Sequence, residues 1–215
     1  MIDRDLSSYY RNRAHEYERV YEKPERQEDL ALLTQMLKEL FSGKELLEIA
    51  CGTGYWTERI AMTAREILAT DINNSVLNIA RSKKYSNAKV TFRLADFNNL
   101  HGHGKHESLF GGFIWSHIKV QDLPDFIRLI KEQVIPGGRL VFIDNNFVKG
   151  SSTPIAATDK EGNTYQNREL ETGAEYQILK NFPTEKLIRK LLKKESGEIK
   201  FTHLRYYWLL EFTNT

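Results

Sequence analysis

Glu48-Ile49-Ala50-Cys51-Gly52-Thr53-Gly54 is the stretch on which the fold of this chain turns. The residues leading into it, 45–50 (ELLEIA), form a short apolar run of the kind that makes a buried strand, and the glycines allow a tight turn. Helical spacing resumes over 54–63, so the segment reads as a β-turn-α unit. In a parallel α/β sheet the carboxyl end of such a strand faces the ligand crevice.

Working outward, the same alternation repeats. Residues 66–70 (EILAT) give a second strand and 75–84 a helix with Val76, Leu77 and Ile79 inward; 89–94 (KVTFRL) give a third strand. A fourth apolar run at 110–115 precedes a helix at 122–135, and Pro136-Gly137-Gly138 turns the chain into a fifth strand at 139–144. Strands separated by helices require crossovers, which predicts an α/β fold with a doubly wound, mainly parallel sheet and helices on both faces. Upstream, 5–22 is polar with interleaved tyrosines, and 25–41 places Leu30, Leu33, Met36, Leu37 and Leu40 at helical spacing. Downstream, 146–162 is loop-like, and 163–182 reads as a hairpin with strands at 165–170 and 176–182 around Glu171-Thr172-Gly173. A last helix starts at Pro183-Thr184, and 199–212 carries strand material without a clear internal turn. No repeat or linker divides the chain, so 1–215 is expected to be one domain. It comprises an N-terminal helical cap (1–44), a core (45–145), an inserted hairpin arm (163–182), and a C-terminal helix and strand (183–215).

With 31 Lys+Arg against 29 Asp+Glu the formal charge is +2, far from the basic excess of a protein that binds by neutralising phosphates; nucleic acid is not an expected partner. The charged start, Met1-Ile2-Asp3-Arg4-Asp5, and the lack of a long apolar run point to a cytoplasmic protein with no membrane partner. The single cysteine, Cys51, excludes an intrachain disulfide and a multi-cysteine zinc site. His101, His103 and His106 share a glycine-rich loop without an acidic cluster, and no metal is expected there.

Asp71 ends the second strand about 20 residues after the glycine turn, where an acid reaches the hydroxyls of a ribose. A nicotinamide fingerprint would want a small residue at Thr57, and Glu48 would repel a pyrophosphate. A carboxylate at 48 suits a ligand that ends in an ammonium group.

These features resemble the S-adenosylmethionine-dependent methyltransferases of the Rossmann-like class, small-molecule type. LLEIACGTGYWT is similar to the family's first motif, ATDIN to its ribose-binding segment, LADF to its third motif, and IPGGRLVFID to the turn before its fifth strand. YYRNRAHEYERVY looks like the tyrosine-rich entry segment of many small-molecule members. Glu48 stands where many members have aspartate, and Ala50 where glycine is frequent.

The resemblance implies S-adenosyl-L-methionine as cofactor, S-adenosyl-L-homocysteine as product and a small-molecule methyl acceptor. It implies cofactor contacts from Glu48, Ala50, Gly52, Gly54, Asp71, Ile72 and Ser116, with Asp96 reaching the adenine amino group and Phe97 packing on the ring. Tyr10 and Tyr17 would close over the methionine end. Trp56 and Trp115 are further aromatic candidates beside a sulfonium, with core packing as their other role.

In-line attack on a sulfonium methyl asks chiefly for orientation and exclusion of water. His117, after the fourth strand, is the candidate base because its ordinary pKa is roughly 6.5, and Tyr10 is grouped with it as catalytic. Asp144, Asn145 and Asn146 are placed to orient the acceptor. The arm at 163–182, carrying Tyr165, Arg168, Tyr176 and Lys180, is expected to be a substrate lid, dispensable for cofactor binding, or else a homodimer contact. The alternatives are an RNA or protein methyltransferase, which would display a basic surface or an appended domain, and a non-catalytic cofactor-binding member of the fold.

Overall fold

The computed structural model describes every residue except 1–3, 15, 98, 99, 101–103, 194 and 195, and omits the side chains of Arg4 and Asp5. Its centre is a seven-stranded sheet in the order β3-β2-β1-β4-β5-β10-β9. The strands are β1 (Glu45–Ile49), β2 (Glu66–Asp71), β3 (Lys89–Leu94), β4 (His106–Gly112), β5 (Val134–Asn145), β9 (Ser196–His203) and β10 (Tyr207–Asn214). The first five pair in parallel, and β10 runs antiparallel to both β5 and β9. The chain works outward from β1 through β2 to β3, then returns to lay β4 on β1's other side. That reversal opens a crevice at the carboxyl ends of β1 and β4.

Helix α2 (Gln27–Leu40) buries Leu30, Leu33 and Leu37 against one face, where α3 (Tyr55–Ile60) also contributes Trp56 and Ile60. On the other face α5 (Leu123–Glu132) and α6 (Glu185–Leu192) pack Phe126, Ile127, Ile130, Ile188 and Leu192 into the core containing Trp115, Phe142 and Trp208. Burying a large apolar side chain is worth about 1.5–3 kcal/mol, so these two layers carry the fold. Helix α6 is capped by Thr184, whose hydroxyl accepts the Leu187 N–H at 3.3 Å.

Two expectations need correction, and a third reading, left open between one strand and two, is decided. The fourth strand ends at Gly112 and does not reach Trp115, because Phe113 takes a left-handed φ of 60° and Trp115–His117 forms a 3₁₀ turn. Their apolar character reflects burial in that turn. Pro136-Gly137-Gly138 lies inside β5 as a bulge, with the register shifting opposite His106 and Ser108; a Cβ on Gly138 would meet Val134 Cγ1 at 2.5 Å. The segment 199–212 falls into two strands, β9 and β10, closed by the Leu204 N–H donating to the Tyr207 carbonyl.

The arm is a three-stranded sheet: β6 (Ala157–Thr158), within the expected loop, pairs with β7 (Thr164–Glu169), which pairs with β8 (Glu175–Leu179). Helix α1 (Arg4–Asn12) seats Leu6 and Tyr9 against Leu170 and Ile178 of this sheet. The N-terminal cap and the arm thus pack on each other over the crevice.

Candidate functional site

The glycine turn is built from left-handed backbone. Ala50, Gly52 and Gly54 have φ of 51°, 57° and 80°, and a Cβ on Gly54 would meet the Tyr85 hydroxyl at 2.5 Å. Asp71 holds the turn from β2: its Oδ2 accepts the Gly52 N–H at 2.9 Å and its Oδ1 the Asn73 N–H at 2.8 Å. Burial raises the Asp71 pKa against these two hydrogen bonds. Each carboxylate oxygen has a second lone pair, and Asp71 lines the crevice, so it retains acceptors for a ligand.

The crevice has about 660 Å³ of space, including its open side. Of the residues expected at a cofactor, Tyr10, Tyr17, Ala50, Gly52, Ile72 and Phe97 line it, joined by Ser7, Asn73 and Phe113. Asp96 is half-buried just beyond β3, next to Phe97. Tyr17 reaches the turn because Glu18 anchors its 3₁₀ segment, Tyr17–Tyr21: the Thr53 hydroxyl donates to Glu18 Oε1 at 2.7 Å, and Lys83 forms an ion pair with the same oxygen.

Five predicted residues stand elsewhere. Glu48 lies outside the crevice lining, 1% exposed, with Oε2 lacking a hydrogen-bond partner; burial pushes its pKa up to about 8, so at neutral pH it is mostly uncharged. A charge for an ammonium group is therefore not offered directly at this position. Gly54 is the N-cap of α3, packed on Ala80 and Tyr85. Trp56 packs with Tyr21, Tyr55 and Phe113, and Trp115 with Phe126, Phe142 and Trp208; both are core residues. Ser116 is fully buried and belongs to a different network. Lys180 donates to Ser116 Oγ at 2.6 Å and to Asp144 Oδ1 at 2.9 Å, while the Ser116 N–H donates to Asp144 Oδ2 at 2.8 Å.

His117 joins the crevice to a second chamber. Its Nδ1 lies 2.6 Å from the Leu179 carbonyl, which can only accept, so Nδ1 carries the proton and Nε2 accepts the Tyr10 hydroxyl at 2.8 Å. Burial, then the neighbouring Lys180, lowers its pKa to about 3. The expected titration just below neutrality is thus displaced. Tyr10 and Tyr17 are held protonated by burial, Tyr17 up to about 12.

The chamber beyond is lined by Tyr10, Tyr17, Phe113, His117, Asn145 and Arg168 among others, and shares its first four with the crevice. Of the candidate acceptor ligands, Asn145 faces it. Asp144 is fully buried on Lys180, and Asn146 donates to the carbonyls of Leu204 and Tyr207 at 2.9 Å. The sequence reading missed Arg13 and Arg26, which line the outer cavity, because nothing in one dimension brings them next to Arg168. His106 is bound to Glu45 at 3.0 Å, and His101 and His103 lie outside the described residues. Among the described residues no group of three or more potential metal ligands gathers, and no helix is long and apolar enough to cross a membrane.

Residues 46–138 match the model of a family described as "Methyltransferase domain". Residues 46–138 are thus similar to a methyltransferase domain, and the fold is Rossmann-like. Over 123 residues it is 27% identical to a demethylmenaquinone methyltransferase of Bacillus licheniformis, covering 53% of this chain and 50% of that protein. Over 121 residues it is 28% identical to the mitochondrial ubiquinone biosynthesis O-methyltransferase of Schizosaccharomyces pombe, covering 52% and 42%. The matched region thus spans half or less of each curated relative. Among solved structures, a DhpI-SAH complex superposes with a TM-score of 0.76 at 23% identity, covering 98% of this chain and 95% of that one. The magnesium protoporphyrin IX methyltransferase of Synechocystis PCC 6803, with bound SAM, gives 0.67 at 16%, covering 100% and 99%. The likeness of fold therefore extends to the N-terminal cap and the arm, beyond residues 46–138.

Proposed function

We propose that this protein transfers a methyl group from S-adenosylmethionine to a small acceptor. The observation that carries the reading is the crevice: an acid from β2, a left-handed glycine turn and four aromatic side chains converge there. S-adenosylmethionine supplies a methyl carbon on a sulfonium centre, which an acceptor atom displaces in line. The residues fit such a ligand. Asp71 would take the ribose hydroxyls, Phe97 the adenine face, and Tyr10 and Tyr17 would lie about the sulfonium. The curated relatives' small-molecule activities and the cofactor-bound neighbours support the same reading.

Tyr10 donates its proton to His117, so its oxygen lone pairs are left for the crevice. His117 acts through Tyr10 as a neutral, fixed acceptor, in place of the base role first expected. Helix α1 and the arm roof the passage and exclude water. An enclosed acceptor chamber favours a small molecule over RNA or protein. A cytoplasmic setting, expected from the sequence, belongs to this reading.

Asp71→Ala tests it. Losing charge-assisted hydrogen bonds of about 1.5–3 kcal/mol should weaken S-adenosylhomocysteine binding at least roughly tenfold by calorimetry. An unchanged dissociation constant in a folded variant would place the ribose elsewhere.

A further inference from the structure

Outside the acceptor chamber lies an open cavity, with about 640 Å³ of space counting its open side, lined by Arg13, Arg19, Lys23, Arg26, Arg168 and Lys180 and by no described Asp or Glu. The chain as a whole holds 31 basic and 29 acidic residues, so this is a sharp local segregation of charge. The cavity is continuous with the chamber, sharing Arg13, Val20, Asn145, Arg168 and Lys180 with it.

The partners of these cations are known in part. Arg19 pairs with Glu171 at the surface, and Lys180 with Asp144. Lys23 donates to the Ser151 carbonyl at 2.8 Å, and Arg26, 4% exposed, bonds Ser151 and lies over the rings of Tyr206 and Tyr207. Glu25, which accepts the Ser151 hydroxyl at 2.8 Å, is exposed and does not line the cavity. Arg13 lies over Tyr9. Packing against tyrosine is a sufficient structural role for Arg13 and Arg26, but not for Arg168. Arg168 donates to Gln166 Oε1 at 2.6 Å, its Nε is buried without any partner, and no ion pair joins it to a described carboxylate. Burial lowers its pKa, and the neighbouring Arg13 and Arg26 guanidiniums press against its charge in the same direction.

Guanidinium groups gathered away from counter-charge are costly unless something anionic joins them. Planar guanidiniums also match the oxygen geometry of oxyanions by paired hydrogen bonds. We propose that the methyl acceptor carries a doubly charged tetrahedral oxyanion group, of phosphate or phosphonate chemistry, held by Arg13, Arg168 and Lys180 at the junction of chamber and cavity. The proposal rests on the methyltransferase reading, since it names the substrate class of that same site. Among the described residues Arg13, Lys23, Arg26 and Arg168 form no ion pair with a carboxylate, and this local excess of positive charge favours two negative charges over one. The enclosure favours a small molecule.

The test titrates the intact protein with S-adenosylhomocysteine, methylphosphonate, inorganic phosphate and acetate in a low-chloride buffer. Methylphosphonate and phosphate should bind at least tenfold more tightly than acetate. Arg168→Gln and Arg13→Gln should each weaken methylphosphonate binding at least fivefold, while Lys200→Gln, an exposed change on β9, should not. Using two variants, each checked for a wild-type melting transition, guards against misfolding of either. Absence of phosphate and methylphosphonate binding, equal affinity for acetate, or an equal loss in Lys200→Gln overturns the proposal. S-adenosylhomocysteine binding without oxyanion binding sinks this inference alone; oxyanion binding without S-adenosylhomocysteine binding sinks the cofactor reading.

Discussion

Glu48 and His117 are buried ionisable side chains that burial holds uncharged near neutrality, with pKa values of about 8 and about 3. Between about pH 3 and the unfolded histidine value of roughly 6.5, the unfolded chain binds more protons at His117, so this residue makes stability fall as pH falls. For Glu48 the folded chain binds more protons between the unfolded value of roughly 4.3 and about 8, so stability falls as pH rises through that window. Relative to wild type, the melting midpoint of His117→Asn should therefore improve from pH 7 to 4.5, and that of Glu48→Gln from pH 5 to 9. Profiles parallel to wild type would mean that neither group is held uncharged as described. The identities of Glu48 and His117 are legible in sequence, but their protonation is not, because it depends on what packs over them. A motif position suggested that Glu48 meets an ammonium group, whereas the fold buries the residue outside the crevice lining.

The arm is the element whose role changes most between sequence and structure. Read along the chain it is an insertion after β5, expected to be removable over 164–180 with cofactor binding intact. In space its last residue of that span, Lys180, is the buried partner of Asp144, and Ile178 seats α1, which carries Tyr10. Removing one partner of a buried pair costs about 3–5 kcal/mol. Each kcal/mol lowers the melting midpoint of a chain this size by about 2–4 °C, so Lys180→Met should lower it by roughly 10 °C or more. An unshifted midpoint would show that Asp144 is satisfied without the lysine. The strand-helix alternation through β5 is legible because periodicity and glycine turns are local signals. The β9–β10 turn and the β5 bulge are not, since long-range pairing sets them: β10 docks on β5 in antiparallel register, and Gly138 yields to Val134 and the Glu107 carbonyl.

Across the whole molecule, two features combine into one path. A crevice of aromatic and acidic character at the β1–β4 switch point opens through Tyr10 and His117 into a chamber, and the chamber into a cationic cavity. The near-balance of charge in the sequence, which gave no hint of an anionic partner, conceals that segregation. The path requires that the crevice take S-adenosylmethionine and not a dinucleotide, because the β1 turn opens on Asp71 and aromatic rings, and among the described lining residues there is no lysine or arginine for a pyrophosphate. Calorimetry with four ligands measures this directly. The account predicts that S-adenosylmethionine and S-adenosylhomocysteine bind while NAD and NADP give no measurable heat of binding; tighter binding of either nicotinamide dinucleotide would contradict it.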